Sequence, residues 1–389
     1  MRWLYNMGVY LYSLIIWAAA PCNKKANLFY RGRKHWRKRL QAVGRDGAPV
    51  GWFHCASLGE FEQGRPLMEA YRERFPAHKI LLTFFSPSGY EVRKNCSVAD
   101  WVFYLPLDTP RNARRFVATV KPAVAIFIKY DFWYNLLRSL KKQGVPVYVV
   151  SAIFRPSQVF FKRYGGFFRE MLRACRCLFV QNDASGDLLA SIGVTNVFVT
   201  GDTRFDRVWK LAQTPKQLPV IENFAAGRPT IIAGSTWPAD EEKLAAAFAE
   251  MPADAGLVIV PHEIYEDRLE AIEKRFAPFG AARYSAITGA RETKNGAGEA
   301  ASLAAYRILV LDTVGMLSSV YRYGTVAYIG GGFGAGIHNT LEAAVYGLPV
   351  VFGPNCRRFR EAGDLIAQGG AASYATASEL SAILLKWLA

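Results

Sequence analysis

Residues 326–342 read VAYIGGGFGAGIHNTLE. Four apolar residues, a glycine run and a polar stretch predict a strand, a loop and a helix in that order. Glycine lets the backbone approach a ligand closely, and amides at a helix start attract anions. No Gly-Lys-Ser/Thr follows, so this is not a Walker loop, and the glycines miss the GxGxxG register of dinucleotide folds. We therefore expect Gly331, Gly332, His338, Asn339 and Glu342 to meet the phosphate or ribose of a nucleotide. A tight turn with ordinary capping is the plain alternative. His338 and Glu342 are four apart, which predicts one helix face. A metal pair there lacks a third ligand, so no metal site is expected.

The same rhythm extends outward. Strands are predicted at 229–234, 257–260, 307–311 and 349–352, with helices near Ala239, Ile264, Thr313, Asn339 and Arg358. Three more loops fall at strand ends: Gly234-Ser235-Thr236-Trp237, Pro261-His262-Glu263 and Asp312-Thr313-Val314-Gly315, where Thr313 is placed as an N-cap. Capping explains each alone; four together at one sheet edge point to a site. Residues 289–300, glycine-rich and polar, read as a surface loop or a partly disordered one.

Toward the amino terminus, strands are predicted at 50–56, 79–84, 101–105, 123–128, 145–150, 177–180 and 197–199. Helices begin near Glu60, Ser88, Thr109, Phe132, Val159 and Asp183. Alternating βαβα implies a parallel sheet covered on both faces. Residues 211–219 (LAQTPKQLP), with two prolines among polar residues, read as a linker. The expected fold class is α/β: two doubly wound, Rossmann-like parallel-sheet domains at 23–210 and 220–389, preceded by an apolar segment at 1–22. Ligands of such folds gather in a cleft at the carboxyl ends of the strands.

In the first domain, Ser57-Leu58-Gly59-Glu60 places a carboxylate just after a strand, at a helix start. The helix terminus lowers its pKa and desolvation raises it, so sequence leaves its basicity open. An acid complementing the helix dipole is the ordinary alternative. Ser86 and Ser88, Lys129-Tyr130-Asp131 and Arg155 follow neighbouring strands and offer hydroxyls and cations to an anionic acceptor. Lys129 and Asp131 could equally form a surface ion pair of little consequence.

The chain has 389 residues, 51% hydrophobic and 21% charged, which excludes a disordered chain. Six cysteines, with Cys175 and Cys177 spaced C-x-C and no CxxC, and five scattered histidines argue against a disulfide scaffold or structural zinc and for a reducing compartment. The net charge of +16 is one-sided: residues 1–210 carry 33 Lys+Arg against 14 Asp+Glu, and the remainder 15 against 18. The first half thus suits an anionic partner, whether nucleic acid, lipid or phosphorylated substrate.

Residues 1–20 (MRWLYNMGVYLYSLIIWAAA) are apolar and aromatic, and basic residues crowd the stretch from Lys24 to Arg45, with no acid before Asp46. This order suits an anionic bilayer surface. The run is marginal for a span, so an interfacial helix is expected. A core-packed first helix is one alternative. A signal peptide cleaved at Ala18-Ala19-Ala20 is the other, but here the charge follows the apolar run. Nucleic acid is not an expected partner, since the basic tract lacks the aromatic pattern of single-strand binders and shows no helix-turn-helix signal.

The ordered series HCASLGE (54–60), FIKYDFWYN (127–135), SAIFR (151–155), VTGDTRFDRV (199–208), AGSTWPADEE (233–242), VPHE (260–263), LDTVG (311–315) and GGGFGAGIHNTLEAAVYGLPVVFGPN (330–355) resembles the 3-deoxy-D-manno-oct-2-ulosonic acid (Kdo) transferases, GT-B glycosyltransferases of lipid A core assembly. The resemblance runs along the whole chain. It implies CMP-Kdo as donor and a bisphosphorylated, acylated lipid A precursor (lipid IVA type) as acceptor, at the cytoplasmic face of the inner membrane, with anionic lipid nearby and no cofactor. It further implies inversion with Glu60 as general base. Ser57, Gly59, Ser86, Ser88, Lys129, Asp131 and Arg155 would serve the acceptor. Gly234, Ser235, Thr236, Pro261, His262, Thr313, Val314, Gly315, Gly331, Gly332, His338, Asn339 and Glu342 would serve the donor. The chain departs from the usual pattern at Lys129-Tyr130-Asp131, where Glu-x-Glu is common, and at Pro261-His262, where Arg-His is common. Its end at Trp387-Leu388-Ala389 leaves little room for the closing helix usual in GT-B folds. Another GT-B enzyme using a UDP- or ADP-sugar, a related epimerase, or a non-catalytic basic membrane- or nucleic-acid-binding protein are the rival readings.

Overall fold

The computed structural model describes residues 1–291, 303 and 305–389. The chain forms two compact units, Met1–Arg207 and Val208–Ala389. Each is built on a seven-stranded sheet in which every strand pairing is parallel.

The sheet of the first unit comprises β1 (Val50–Cys55), β2 (Lys79–Phe84), β3 (Trp101–Tyr104), β4 (Val124–Ile128), β5 (Val147–Ala152), β6 (Cys177–Val180) and β7 (Val197–Val199). Their order is β3-β2-β1-β4-β5-β6-β7. Every residue of β1 is buried, as a strand covered on both faces requires. Its side chains alternate between two cores. Trp52 packs with Phe116 and Phe127 on one side, and Phe53 with Phe61 and Phe84 on the other. Chain order reverses between β1 and β4, so a crevice opens at their carboxyl ends.

The second unit repeats the design with β8 (Thr230–Thr236), β9 (Gly256–Pro261), β10 (Ala281–Arg283), β11 (Ile308–Val310), β12 (Val326–Ile329), β13 (Val350–Phe352) and β14 (Ala371–Ser373), ordered β10-β11-β9-β8-β12-β13-β14. Here the reversal falls between β8 and β12. The strands β10 and β14 were not expected from sequence. The helix Ala377–Leu388 opens on a Thr376/Glu379 capping box and packs Leu380 and Leu384 into the core of its own unit.

Three helix expectations also change. No helix begins at Thr313; the first turn is Leu317–Val320, behind Met316. The helix near Asn339 is the single turn Leu341–Ala344. Near Val159 a 3-10 turn (Val159–Phe161) precedes the helix Gly166–Leu172. The stretch read as a linker holds the end of the helix Thr203–Gln213, an irregular stretch at 214–218 and the first residue of the helix Pro219–Ala225. Residues 289–291 end the helix Tyr284–Arg291, and residues 292–300 of the expected loop lie outside the described residues.

The amino-terminal helix Arg2–Ala19 lies along the first unit by one narrow stripe. The Tyr5 hydroxyl donates to Asp108 (2.7 Å), the Asn135 amide donates to Asn6 (2.9 Å), and Arg2 donates to the Tyr134 hydroxyl (2.9 Å). The other face exposes Trp3, Leu4, Met7, Leu11, Leu14, Ile15 and Trp17. Among the described residues, no helix is long and apolar enough to cross a membrane.

Candidate active site

In the first unit the groups expected for chemistry meet at the β1/β4 crevice. Ser57 caps the helix Leu58–Arg74 by position, without a side-chain hydrogen bond, and Glu60 stands in the first turn. One Glu60 oxygen accepts the Ala56 N–H. Burial raises the Glu60 pKa above the ordinary carboxylate value. The Ala56 hydrogen bond opposes this, Asp131 adds to it, and His54 and Lys129 pull it down. Lys129 follows β4 in a left-handed conformation, φ 65°, which non-glycine residues rarely adopt. Burial lowers its pKa; Glu60 and Asp202 pull it back up, while Arg204 and Arg155 press it further down.

Asp131 is not part of a surface ion pair with Lys129. It accepts from Nε2 of the fully buried His54 (2.7 Å) and from the Trp133 indole (3.0 Å). His54 Nδ1 in turn meets the Thr83 hydroxyl (2.9 Å), which accepts the Trp52 indole N–H (2.8 Å). A polar chain thus runs from the core to the carboxylate beside Glu60. Sequence reasoning missed His54, although a histidine inside the apolar strand VGWFHC needs a buried partner. Ser86 accepts the N–H of Ser88, and their hydroxyls are 3.0 Å apart, so capping already occupies both. Gly59 and Arg155 are exposed.

A second cluster was also missed. Ser151, left-handed at φ 55° where β5 bulges, is fixed by Gln181 through its carbonyl (3.0 Å) and hydroxyl (3.1 Å). Asp202 accepts from Gln63 (3.0 Å) and Arg204 (2.7 Å).

In the second unit the loops after β8 and β12 come together. Ser235 is left-handed, φ 55°, at a bulge between Gly234 and Thr236. A Cβ on Gly330 would collide with the Ser235 carbonyl, and one on Gly332 would lie 2.6 Å from Gly353 Cα. These glycines are therefore needed for chain packing. The Gly331 amide, φ 90°, is not free for an anion as the sequence suggested: it donates to Asp240 (2.9 Å). Buried Asp240 also accepts the Trp237 N–H (2.9 Å) and the Tyr328 hydroxyl (2.8 Å), so one carboxylate ties both loops together.

Above this clamp three rings meet. The Trp237 indole N–H donates to His338 Nε2 (3.0 Å), and His262 stacks against both, with centroids 4.8 Å from Trp237 and 4.3 Å from His338. His338 precedes the turn Leu341–Ala344, so it does not share a helix face with Glu342. Glu342 instead accepts the Asn339 side-chain amide (3.0 Å), whose oxygen caps Leu341. Thr236 is fully buried and donates to Glu241 (2.8 Å), a buried acid paired with Arg268, which gives it a structural part. Gly234 packs against Tyr321, and Pro261 is buried at the end of β9. Val314 is 84% exposed, Thr313 caps no helix, and the Gly315 carbonyl accepts Lys216 Nζ (2.8 Å).

Residues 34–207 match a family described as 3-deoxy-D-manno-octulosonic-acid transferase (kdotransferase). The chain is 30% identical over 344 residues to the 3-deoxy-D-manno-octulosonic acid transferase of Bordetella pertussis, covering 83% of this chain and 76% of that one. It is 27% identical over 325 residues to the Aquifex aeolicus protein of the same name, covering 82% and 80%. Among solved structures, the UDP-GlcNAc 2-epimerase of Methanocaldococcus jannaschii aligns with a TM-score of 0.57 at 13% identity, over 87% of this chain and 92% of that one. The Neisseria meningitidis UDP-GlcNAc 2-epimerase aligns with 0.51 at 11% identity, over 86% and 89%. At these identities the likeness concerns the two-sheet GT-B architecture.

Proposed function

Because the chain belongs to the 3-deoxy-D-manno-octulosonic acid (Kdo) transferase family, we propose that it moves Kdo from CMP-Kdo to a sugar hydroxyl of a lipid A precursor of the lipid IVA type, with Glu60 as general base. The observation that carries this reading is the position of Glu60. It is a half-buried carboxylate at the β1/β4 crevice, held by one backbone amide, with its basicity raised by burial and Asp131. A stronger base removes a hydroxyl proton more readily near neutral pH.

In this mechanism Glu60 takes the acceptor proton as the oxygen attacks the anomeric carbon of Kdo. The bond to the CMP phosphate oxygen breaks on the opposite face, with inversion through an oxocarbenium-like state. Ser57, Lys129 and Arg155 are the first unit's polar groups for the acceptor. Ser235, His338 and Asn339 are the second unit's groups for the donor, and they face the charge that develops on the leaving phosphate. The sequence has no Asp-x-Asp run, so no step is assigned to a metal, and transfer should survive a chelator.

The same reading places the protein on the cytoplasmic face of an anionic inner membrane. It is supported by the exposed apolar face of the helix Arg2–Ala19 and the cations that follow it, including Lys24, Lys25 and Arg31. The deciding experiment is transfer from CMP-Kdo to a tetra-acylated lipid A precursor, read by mass spectrometry of the lipid. A folded Glu60→Gln protein that keeps the full rate would end the base assignment.

A further inference from the structure

We propose that Trp237 fixes the His338 imidazole with its proton on Nδ1, making His338 a hydrogen-bond donor to the donor nucleotide's phosphate, neither an acid nor a fixed cation. An indole N–H can only donate. At 3.0 Å from His338 Nε2 it requires a lone pair there, so the ring's proton resides on Nδ1. Protonating Nε2 would turn this contact into two opposed donors.

The ring cannot turn away from the indole easily. His262 stacks on it at 25°, its own backbone N–H is bound to the Gly330 carbonyl (3.1 Å), and the Gly331 backbone passes beneath it, so that a Cβ there would lie 3.0 Å from His338 Cδ2. Asp240 holds the two backbones in register by accepting the N–H groups of both Trp237 and Gly331. Among the described residues, Nδ1 of His338 has no hydrogen-bond partner, so its N–H is available to a ligand oxygen.

The charged and titratable groups around the ring point the same way. Burial and the neighbouring His262 lower the His338 pKa, and Asp240 opposes them without reversing the direction. Arg358 donates to the Ala335 carbonyl in the same loop. A donor of this kind stabilises charge on a leaving phosphate without transferring a proton to it. Trp237 is thus a positioning residue that acts through His338. The inference rests on assigning the β8 and β12 loops to the sugar nucleotide.

The test uses the full chain labelled with 15N at histidine. Long-range 1H–15N spectra at pH 7 should show His338 protonated at Nδ1 and bare at Nε2, and added CMP should shift the Nδ1 signal. Trp237→Phe keeps an aromatic ring against His262 and removes the indole donor. It should spread the proton over both nitrogens, weaken CMP about three- to tenfold, and make CMP affinity depend on pH below 7. A wild-type ring protonated at Nε2 overturns the proposal without any variant, and so does a Trp237→Phe protein with unchanged tautomer and pH dependence. CMP that raises the unfolding temperature while leaving His338 unshifted also overturns it, and leaves the Glu60 reading intact. CMP that does not bind at all overturns the assignment of the nucleotide site itself.

Discussion

Replacing Asp240 should separate the clamp from everything built on it. In Asp240→Ala, two backbone amides, Trp237 N–H and Gly331 N–H, lose their acceptor, while the Tyr328 hydroxyl keeps Tyr374 at 2.7 Å. An orphaned buried donor costs about 1–3 kcal/mol. The pair therefore costs about 2–6 kcal/mol. In Asp240→Asn, the amide oxygen still accepts both N–H groups. Its NH2 can donate to Tyr328, whose hydroxyl then donates to Tyr374. Only the charge assistance is lost, about 1 kcal/mol. For a unit of this size 1 kcal/mol moves Tm by about 2–4 °C, so the alanine variant should melt about 10 °C lower and the asparagine variant a few degrees lower. Differential scanning calorimetry with and without CMP reads both effects, since CMP should protect wild type and the asparagine variant and the alanine variant least. Equal losses in the two variants, or a loss under 1 kcal/mol in the alanine variant, would show that the carboxylate does not hold the two loops.

The remaining expectations concern the first unit, Ser235 and the membrane. Glu60→Gln should lower kcat by about 10²–10⁴ with fold intact. A carboxyl whose folded pKa is raised loses stability as pH climbs from its unfolded towards its folded value, so this variant should melt higher than wild type at pH 8 and equal to it near pH 4. Because Lys129 pulls the Glu60 pKa down, Lys129→Met should move the acid limb of the pH–rate profile toward higher pH, and a profile that does not move would remove Lys129 from the base's surroundings. Ser235→Gly relieves a left-handed conformation but loses the hydroxyl; CMP affinity should fall as in Ser235→Ala while the glycine variant stays the more stable, by calorimetry and titration. Trp3→Ser with Trp17→Ser should cut sedimentation with anionic lipid vesicles, and unchanged binding would take the helix Arg2–Ala19 out of membrane contact.

Much of the fold was legible because the strands that build the cores announce themselves. VGWFHC, KILLTF and VAIFI are short apolar runs between turn residues, and all three lie within a residue or so of their expected bounds. The strands that escaped, AAR and AAS, are three residues of alanine and polar side chains, too short and too weakly apolar to register. The candidate site was legible as positions but not as contacts. Strand ends gave Glu60, Lys129, Asp131, Ser235 and His338. Which of them touch depends on strand order in space, since β1 lies beside β4 and β8 beside β12. Hence His54 meets Asp131 across 77 residues, and Trp237 meets His338 across 101. Local capping also misled. Thr313 looked like a cap and is none, and the Gly331 amide looked free and is taken by an acid 91 residues away.

The backbone conformations support the same assignment independently of residue chemistry. Among the described residues, five non-glycine residues have positive φ: His35, Lys121, Lys129, Ser151 and Ser235. Two sit at helix boundaries, where a left-handed residue ends or opens a turn. The other three stand at or just past the carboxyl ends of β4, β5 and β8, with nothing to terminate. Each costs about 1–3 kcal/mol and persists only where neighbours over-determine it. The neighbours are visible. The Lys129 N–H is bound to the Val150 carbonyl (2.8 Å), Ser151 is held twice by Gln181, and the Ser235 carbonyl lies against Gly330, where no side chain fits. A fold seeking stability alone would place glycine at these three positions. Lys129 and Ser235 bring an ammonium and a hydroxyl to the strand ends instead, while the buried Ser151 hydroxyl is bound to Gln181; polar side chains in place of a relaxed backbone suit a binding site at those ends.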